Sequence, residues 1–208
     1  MKVQVLASIM NEPKNSIEQI IKKMNISSDA IIINQCERND VEECVVKGKY
    51  KAKMLSFQEK GVGLSRNTAL MRADADIVIF ADNDVVYTDD YVEIVQQEFK
   101  KQPNADIIVF QIPPVEEKKE KNQLEDKIKR VRLYNCLKYG AVRFAIKRES
   151  LVKKNIYFSL LFGGGARFGS GEDSLLIAEC IRKGLKAYRS EKILGYLSPN
   201  QSTWFRRI

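Results

Sequence analysis

The chain has 208 residues, 44% of them hydrophobic and 30% charged, with a formal net charge of +8. That is the composition of one globular domain with a sizeable core, and no apolar run approaches the roughly 20 residues that span a bilayer. The opening "MKVQVLASIM" has one lysine and soon meets Asn11, Glu12 and Pro13, so it reads as a first strand and not as a secretion signal; a cytoplasmic location is expected.

Residues 3–9 alternate loosely and predict a strand. In "KNSIEQIIKKMNI", Ile17, Ile20, Ile21 and Met24 fall on one helical face. Residues 30–33 predict a short strand ending at Asn34, and Ser56 and Phe57 lie near the end of another. "GVGLSRNTALMRADA" reads as a glycine-led helix entry and then a helix. Residues 77–81 predict a buried strand that stops at Asp82, Asn83 and Asp84. A helix follows, with Thr88 expected as its N-cap, Asp89 and Asp90 in its first turn, and Val92, Val95 and Phe99 as its buried stripe. Residues 106–112 predict another strand, closed by Pro113 and Pro114.

Strands alternating with helices at this spacing predict an α/β fold: a Rossmann-like, mostly parallel sheet flanked by helices. Such sheets bind ligands at the carboxyl ends of their strands, which puts Asp82 and Asp84 at the binding edge. The second half is less regular. Residues 115–130 are dense in charge of both signs and read as a solvated loop running into an exposed helix, or as a flap over a substrate. "YGAVRFAIKRESL" predicts a strand and a short helix. "FGGGARFGSGEDSLLIAECIRKG" predicts a glycine-rich loop and a helix stopped by Gly184 at the C′ position.

The four cysteines include no Cys-x-x-Cys pair, and the chain has no histidine. A zinc site of nitrogen and sulfur ligands is not expected, and the thiols read as reduced and structural. The positive charge suits polyanionic partners. Nucleic acid is not among those expected, because no helix concentrates a Lys/Arg stripe and no aromatic-basic interleaving appears.

Three stretches carry chemistry. Asp82 and Asp84, aimed into one cleft, would raise each other's pKa unless a hard cation such as magnesium or manganese sat between them; a polar turn capping the next helix is the simpler reading. Glu172 and Asp173 open a helix after Gly163, Gly164, Gly165, Gly169 and Gly171. A carboxylate there suits a general base, though acids in a first helical turn are also common for dipole reasons. Arg66 and Asn67 stand near a helix start, where a guanidinium and amide donors suit phosphate; a surface arginine is the alternative.

Taken in order, these elements resemble the family 2 glycosyltransferases, which have the GT-A fold, over roughly residues 2–189. "GVGLSRNTALMRADADIVIFADNDV" is similar to that family's Gly-x-Ala-Arg-Asn helix followed by a strand and an Asp-x-Asp motif. "GSGEDSLLIAECIRKGLKAY" is similar to its Gly-Glu-Asp helix, and "VQVLASIMNE" to its first strand and nucleotide-contacting loop. The resemblance implies a single catalytic domain with a nucleotide-binding half at about 1–114 and an acceptor-binding half at about 115–208. It implies transfer of a sugar, with inversion, from a nucleotide diphosphate sugar, a UDP-sugar first, to a glycan or lipid-linked acceptor, with Mn2+ or Mg2+ as cofactor.

By the same resemblance Asp84 and Asp82 hold the metal, and Asp173 is the base with Glu172 in support. Ser8, Asn11, Glu12, Asn34, Arg66, Asn67, Asp82 and Asn83 line the donor. Gly163, Gly164, Gly165, Gly171 and Trp204 belong to the donor and acceptor loop. Two departures stand out. The family's second strand commonly ends in base-reading aspartates, and here it ends in Asn34, Gln35 and Cys36. Many relatives place a histidine near the metal, for which Asn200, Gln201 or Ser202 are the expected stand-ins. The chain is short for the family, so a domain cut short at its C-terminus is expected. Peripheral attachment to an anionic membrane is a further expectation from the charge. The competing readings are a relative that binds sugar nucleotides without turnover and a metal-dependent nuclease.

Overall fold

Apolar alternation along the strands builds two separate cores, one on each face of a single sheet. In the computed structural model, which describes residues 1–117 and 128–198, the chain runs β1 (Val3–Met10), α1 (Ile17–Lys23), β2 (Asp29–Gln35), β3 (Asp40–Val46), β4 (Tyr50–Phe57) and α2 (Val62–Arg72). It continues with β5 (Ile77–Asp82), β6 (Val85–Tyr87), α3 (Tyr91–Lys101), β7 (Ile107–Gln111), β8 (Lys129–Val131) and β9 (Phe144–Lys147). Last come α4 (Arg148–Lys153), α5 (Glu172–Arg182), β10 (Ala187–Ile193) and β11 (Gly195–Leu197). Trp204, Asn200, Gln201, Ser202 and most of the charged segment expected as a flap lie outside the described residues.

Among the described residues nine strands form one sheet in the order β3-β4-β2-β1-β5-β9-β7-β10-β8. Six of them (β4, β2, β1, β5, β7 and β10) point one way, and β3, β8 and β9 point the other. The expected mostly parallel sheet is therefore present. Successive side chains of a strand leave opposite faces. Val5, Ala7 and Ile9 of β1 join Ile79 and Ala81 of β5 under α1 and α3, packed with Ile20, Met24, Tyr91, Val95 and Phe99. Leu6, Val78 and Phe80 face the other way, under α2, α4 and α5, with Leu70, Leu151, Leu176 and Ile177. A strand buried on both faces reads as a continuous apolar run, and β5 does.

Several local expectations change. β3 was not anticipated: it is an edge strand whose Val41 and Val45 face outward, so it has no contiguous apolar run to announce it. α3 begins at Tyr91 with Asp90 at the N-cap, and Thr88 instead lies ahead of it, its Oγ1 donating to Leu194 O at 3.3 Å. Tyr91 replaces Val92 at the centre of the buried stripe. Its ring stacks on Tyr87 at 4.5 Å, and its hydroxyl is satisfied by Ser28 Oγ at 2.7 Å and Ser27 N at 3.2 Å. Lys129 and Arg130, at the end of the stretch read as a solvated loop running into an exposed helix or as a flap, join Val131 in strand β8, antiparallel to β10. Ala141–Arg143 is a 3-10 turn, with the strand starting at Phe144. Gly184 takes φ +88 just past α5, as a C′ glycine does. All four cysteines are free, and burial pushes the Cys180 thiol up to about 12.

Candidate active site

The carboxyl end of β5, the start of α5 and the middle of α2 meet at one guanidinium. Arg66 projects from α2, and its side chain is 3% exposed. Its Nη1 donates to Glu172 Oε1 at 3.1 Å and to Asp173 Oδ1 at 2.6 Å, and its Nη2 donates to both oxygens of Asp82 at 3.1 and 3.2 Å. One arginine thus holds three carboxylates from two separate elements. Burial disfavours its charge, but Asp82, Asp173 and Glu172 outweigh that and raise its pKa. The planar fork is what permits this; an ammonium offers no comparable geometry.

The balance of charge stays negative, since one guanidinium faces three acids. Burial pushes the Asp82 carboxyl up, against Arg66 and with help from Asp173. Burial and then Asp173 push Glu172 up as well. Asp84, two residues past the strand-end Asp82, is also raised, by burial and then by the Asp82 charge. Its Oδ1 is buried and has no hydrogen-bond partner. An orphaned carboxylate oxygen in a net-negative setting fits a hard divalent cation. Asp82 fits less well, because Arg66 occupies both its oxygens. Among the described residues no set of three His, Cys, Asp or Glu side chains is placed to hold a metal alone. A cation at Asp84 would draw its remaining ligands from phosphate and water, as magnesium commonly does.

Two clefts open at this sheet edge. One, of about 340 Å³, is walled by Asp82, Arg66 and Asp173 and by residues 137–140 and 169–174. The other, of about 440 Å³, lies at the ends of β1, β2 and β4 and is lined by Asn11, Gln35, Cys36, Glu59 and Lys60 among others. Between them the glycine loop is tied down: Val62 N donates to Gly164 O at 2.9 Å, and Gly163 N to Phe168 O at 2.7 Å. Gly163 has φ +103, and a Cβ there would meet Glu172 Cδ at 2.8 Å and Val62 Cγ1 at 2.6 Å. The glycine is therefore what lets the loop close onto the Glu172 carboxylate.

Not every expected site residue reaches a cleft. Ser8 is buried, its Oγ accepting from Ser65 Oγ at 2.9 Å. Asn67 is spent on the backbone of Phe158, donating to its carbonyl at 2.9 Å and accepting from its N–H at 2.8 Å, so it fixes α2 and is not free for phosphate. Asn34 is fully buried. It accepts from Glu12 N and donates to Glu12 O and Ser56 Oγ, which clamps the loop after β1 and leaves no group to read a base. Arg66 does wall a cleft, with both its Nη atoms engaged by carboxylates. Asn83 is buried beside Asp84. Asn11, at φ 56, and Gly171 do line clefts.

Sequence reasoning missed Ala141, whose N–H donates to Asp173 Oδ2 at 2.9 Å. It missed Gln35, whose amide pairs with both N–H and C=O of Gly61 at 3.1 Å. It missed Glu59, whose Oε1 is buried without a partner. A backbone donor leaves no residue signature, but Gln35 and Glu59 stand at strand ends, where polar side chains after an apolar run are a usable signal. Of the aromatic residues in the second half, Tyr139 is buried, Phe162 stacks on Phe168 at 4.9 Å, and Tyr134 is exposed.

Residues 10–161 match the family model described as glycosyl transferase family 2, and the chain belongs to that family. The structure is similar to that of S. aureus TarS 1–349 in complex with UDP-GlcNAc, with a TM-score of 0.71 at 16% identity over 100% of this chain and 62% of that one. It is also similar to the mannosyltransferase PcManGT from Pyrobaculum calidifontis in complex with GDP-Man and Mn2+, with a TM-score of 0.61 at 14% identity over 98% of this chain and 58% of that one. At these identities the likeness shows the fold, which is GT-A. The chain spans about 60% of the length of these relatives. No curated protein matches it.

Proposed function

We propose that this chain is a metal-dependent inverting glycosyltransferase that moves a sugar from a nucleotide diphosphate sugar to a hydroxyl of a glycan or lipid-linked acceptor. The observation that carries the reading is the Arg66 hub, which gathers Asp82, Glu172 and Asp173 beside the unpartnered oxygen of Asp84. The base of the donor takes the cleft at the ends of β1, β2 and β4, where Glu59 offers a carboxylate oxygen and Asn34 does not take part. A UDP-sugar is the first donor to test, in keeping with the TarS complex; the GDP-Man complex of PcManGT makes GDP-sugars the second.

Asp84 is the residue that would hold Mn2+ or Mg2+, and the bound cation would neutralise charge on the diphosphate. Asp173 accepts the proton of the acceptor hydroxyl as the oxygen bonds to the anomeric carbon and the bond from that carbon to the diphosphate breaks. Arg66 and the Ala141 N–H fix the Asp173 carboxylate in place, one on each oxygen. Those two bonds also favour a second reading, a donor-binding relative without turnover, because each Asp173 oxygen already accepts a hydrogen bond in the free protein.

The test is calorimetric titration with UDP and then GDP, with and without Mn2+, on the wild type and Asp84→Ala. Metal-dependent binding lost in the variant supports the site, and absence of binding by either nucleotide sinks it. Hydrolysis or transfer assays with the bound donor then separate the enzyme from the silent relative.

A further inference from the structure

The positive charge of this chain is not spread evenly. Between residues 129 and 171 the sequence has ten lysines and arginines and one acid, Glu149, which is ion-paired to Lys153. That window has a net charge of +9 against +8 for the whole chain, so the rest is close to neutral. The same window holds eight of the thirteen large hydrophobic residues exposed among the described residues. Tyr134 is 84% exposed, Leu137 62%, Leu160 60% and Leu161 56%.

These side chains belong to one rim. Ser174 Oγ donates to Leu137 O at 3.0 Å, which ties the 3-10 turn at Leu133–Asn135 and the residues after it to α5. Leu175 of α5 shares a surface hollow with Tyr157 and Ser159, next in sequence to Leu160 and Leu161. Phe168 N donates to Leu161 O at 2.9 Å, closing the loop that leads to Gly171. Leu137 and Gly171 both wall the cleft that contains Asp173. Leu137 therefore walls that cleft, and Leu161 and Phe168 belong to the loop that leads into it.

Single exposed leucines need no explanation, but a cluster interleaved with Arg132, Lys138 and Arg167 does, even though Lys147 and Arg148 of the same window lie at the far sheet edge beside Asp74 and Asp76. Aliphatic side chains that enter an acyl boundary, among lysines and arginines that meet anionic headgroups, match a lipid surface in both respects. We propose that this rim docks on an anionic lipid bilayer and holds the mouth of the Asp173 cleft against it. The docking stands on the surface alone. Its consequence, that the acceptor is lipid-linked, rests on the glycosyltransferase reading.

Co-sedimentation with vesicles of phosphatidylcholine, with and without phosphatidylglycerol, tests it. The protein is expected to bind the anionic vesicles and not the neutral ones, and to be released by salt. Tyr134→Ser/Leu160→Ser/Leu161→Ser and, separately, Arg132→Glu/Arg167→Glu should each weaken vesicle binding about tenfold or more, with melting temperature and nucleotide binding unchanged. Failure to bind anionic vesicles overturns the proposal, as does equal binding by wild type and both variants. A dimer in light scattering that the Tyr134/Leu160/Leu161 variant abolishes would also overturn it, by assigning the rim to a second copy. Nucleotide binding without vesicle binding would leave the glycosyltransferase reading intact, and the reverse would leave the docking intact.

Discussion

Arg66 Nη1 lies 2.6 Å from Asp173 Oδ1, although the two residues are 107 positions apart in the chain. The contact joins the helix after β4 to the helix after the glycine loop. It makes the position of the proposed base depend on the strand-end acid Asp82, which shares the same guanidinium.

Replacing Arg66 with Met should leave three acids facing one another, with no compensating charge. A loss of about 3–5 kcal/mol at neutral pH is expected, as for breaking a buried ion pair from one side. The loss should depend on pH. Asp82 and Glu172 already have folded pKa values above the ordinary carboxylate range, and the variant raises them further. An acid whose folded pKa is raised costs stability as pH climbs through that range and nothing below its unfolded value. Urea unfolding should therefore show the deficit shrinking from pH 7 toward about pH 4. A deficit constant across that range would count against a charge origin.

Asp84→Asn should have opposite effects on stability and binding. Removing a desolvated carboxylate with an orphaned oxygen should stabilise the free protein by about 1 kcal/mol at neutral pH, with the gain fading as the pH falls toward 4 and wild-type Asp84 protonates. Metal-dependent nucleotide binding should disappear. Thermal melts with and without Mn2+ plus UDP measure both: the wild type should gain from the ligands and the variant should not.

The central strands and the acidic turns were legible because their signals are local. β5 is an apolar run that ends in acids, and α5 is an amphipathic helix bounded by Gly171 and Gly184. What Asn34, Asn67 and Arg66 do was not legible. Each stands where a ligand-facing residue was expected, and each is engaged by another group of the protein: the Glu12 backbone, the Phe158 backbone and three carboxylates. Such pairings join residues 16 to 107 positions apart, and no pattern within one segment encodes them. β3 escaped for a different reason, since half of an edge strand faces water.

Asn34→Asp would install the acid common at this position in the family. Here it should destabilise, because a carboxylate cannot supply the Nδ2 donors that now reach Glu12 O at 3.0 Å and Ser56 Oγ at 3.1 Å. Glu12 O keeps Arg38 Nη2 at 2.9 Å and Ser56 Oγ can turn to donate, so the cost falls on the buried carboxylate itself, at about 1–3 kcal/mol. The ratio of UDP to GDP affinity should not change. A marked shift in that ratio on calorimetry would return Asn34 to the role of base reader.

Gly163→Ala should fail at the loop. The residue has φ +103, and the new methyl would press on Val62 and on Glu172. Strain of this kind costs on the order of 1–3 kcal/mol, and displacing Glu172 should reduce turnover more than donor affinity. Comparing kcat with the nucleotide Kd separates the two effects; equal loss in both would mean that the loop acts only in binding.

The position of β9 has a consequence for biosynthesis. This strand is antiparallel to both β5 and β7 and separates them. The three neighbouring strands β5, β9 and β7 thus come from residues 77–82, 144–147 and 107–111. While the ribosome is still making the region before residue 144, the edges of β5 and β7 have no partner, and apolar edges in that state invite pairing with other chains. A nascent chain arrested before β9 should be chaperone-dependent and sensitive to protease, whereas one released after β10 should fold without help.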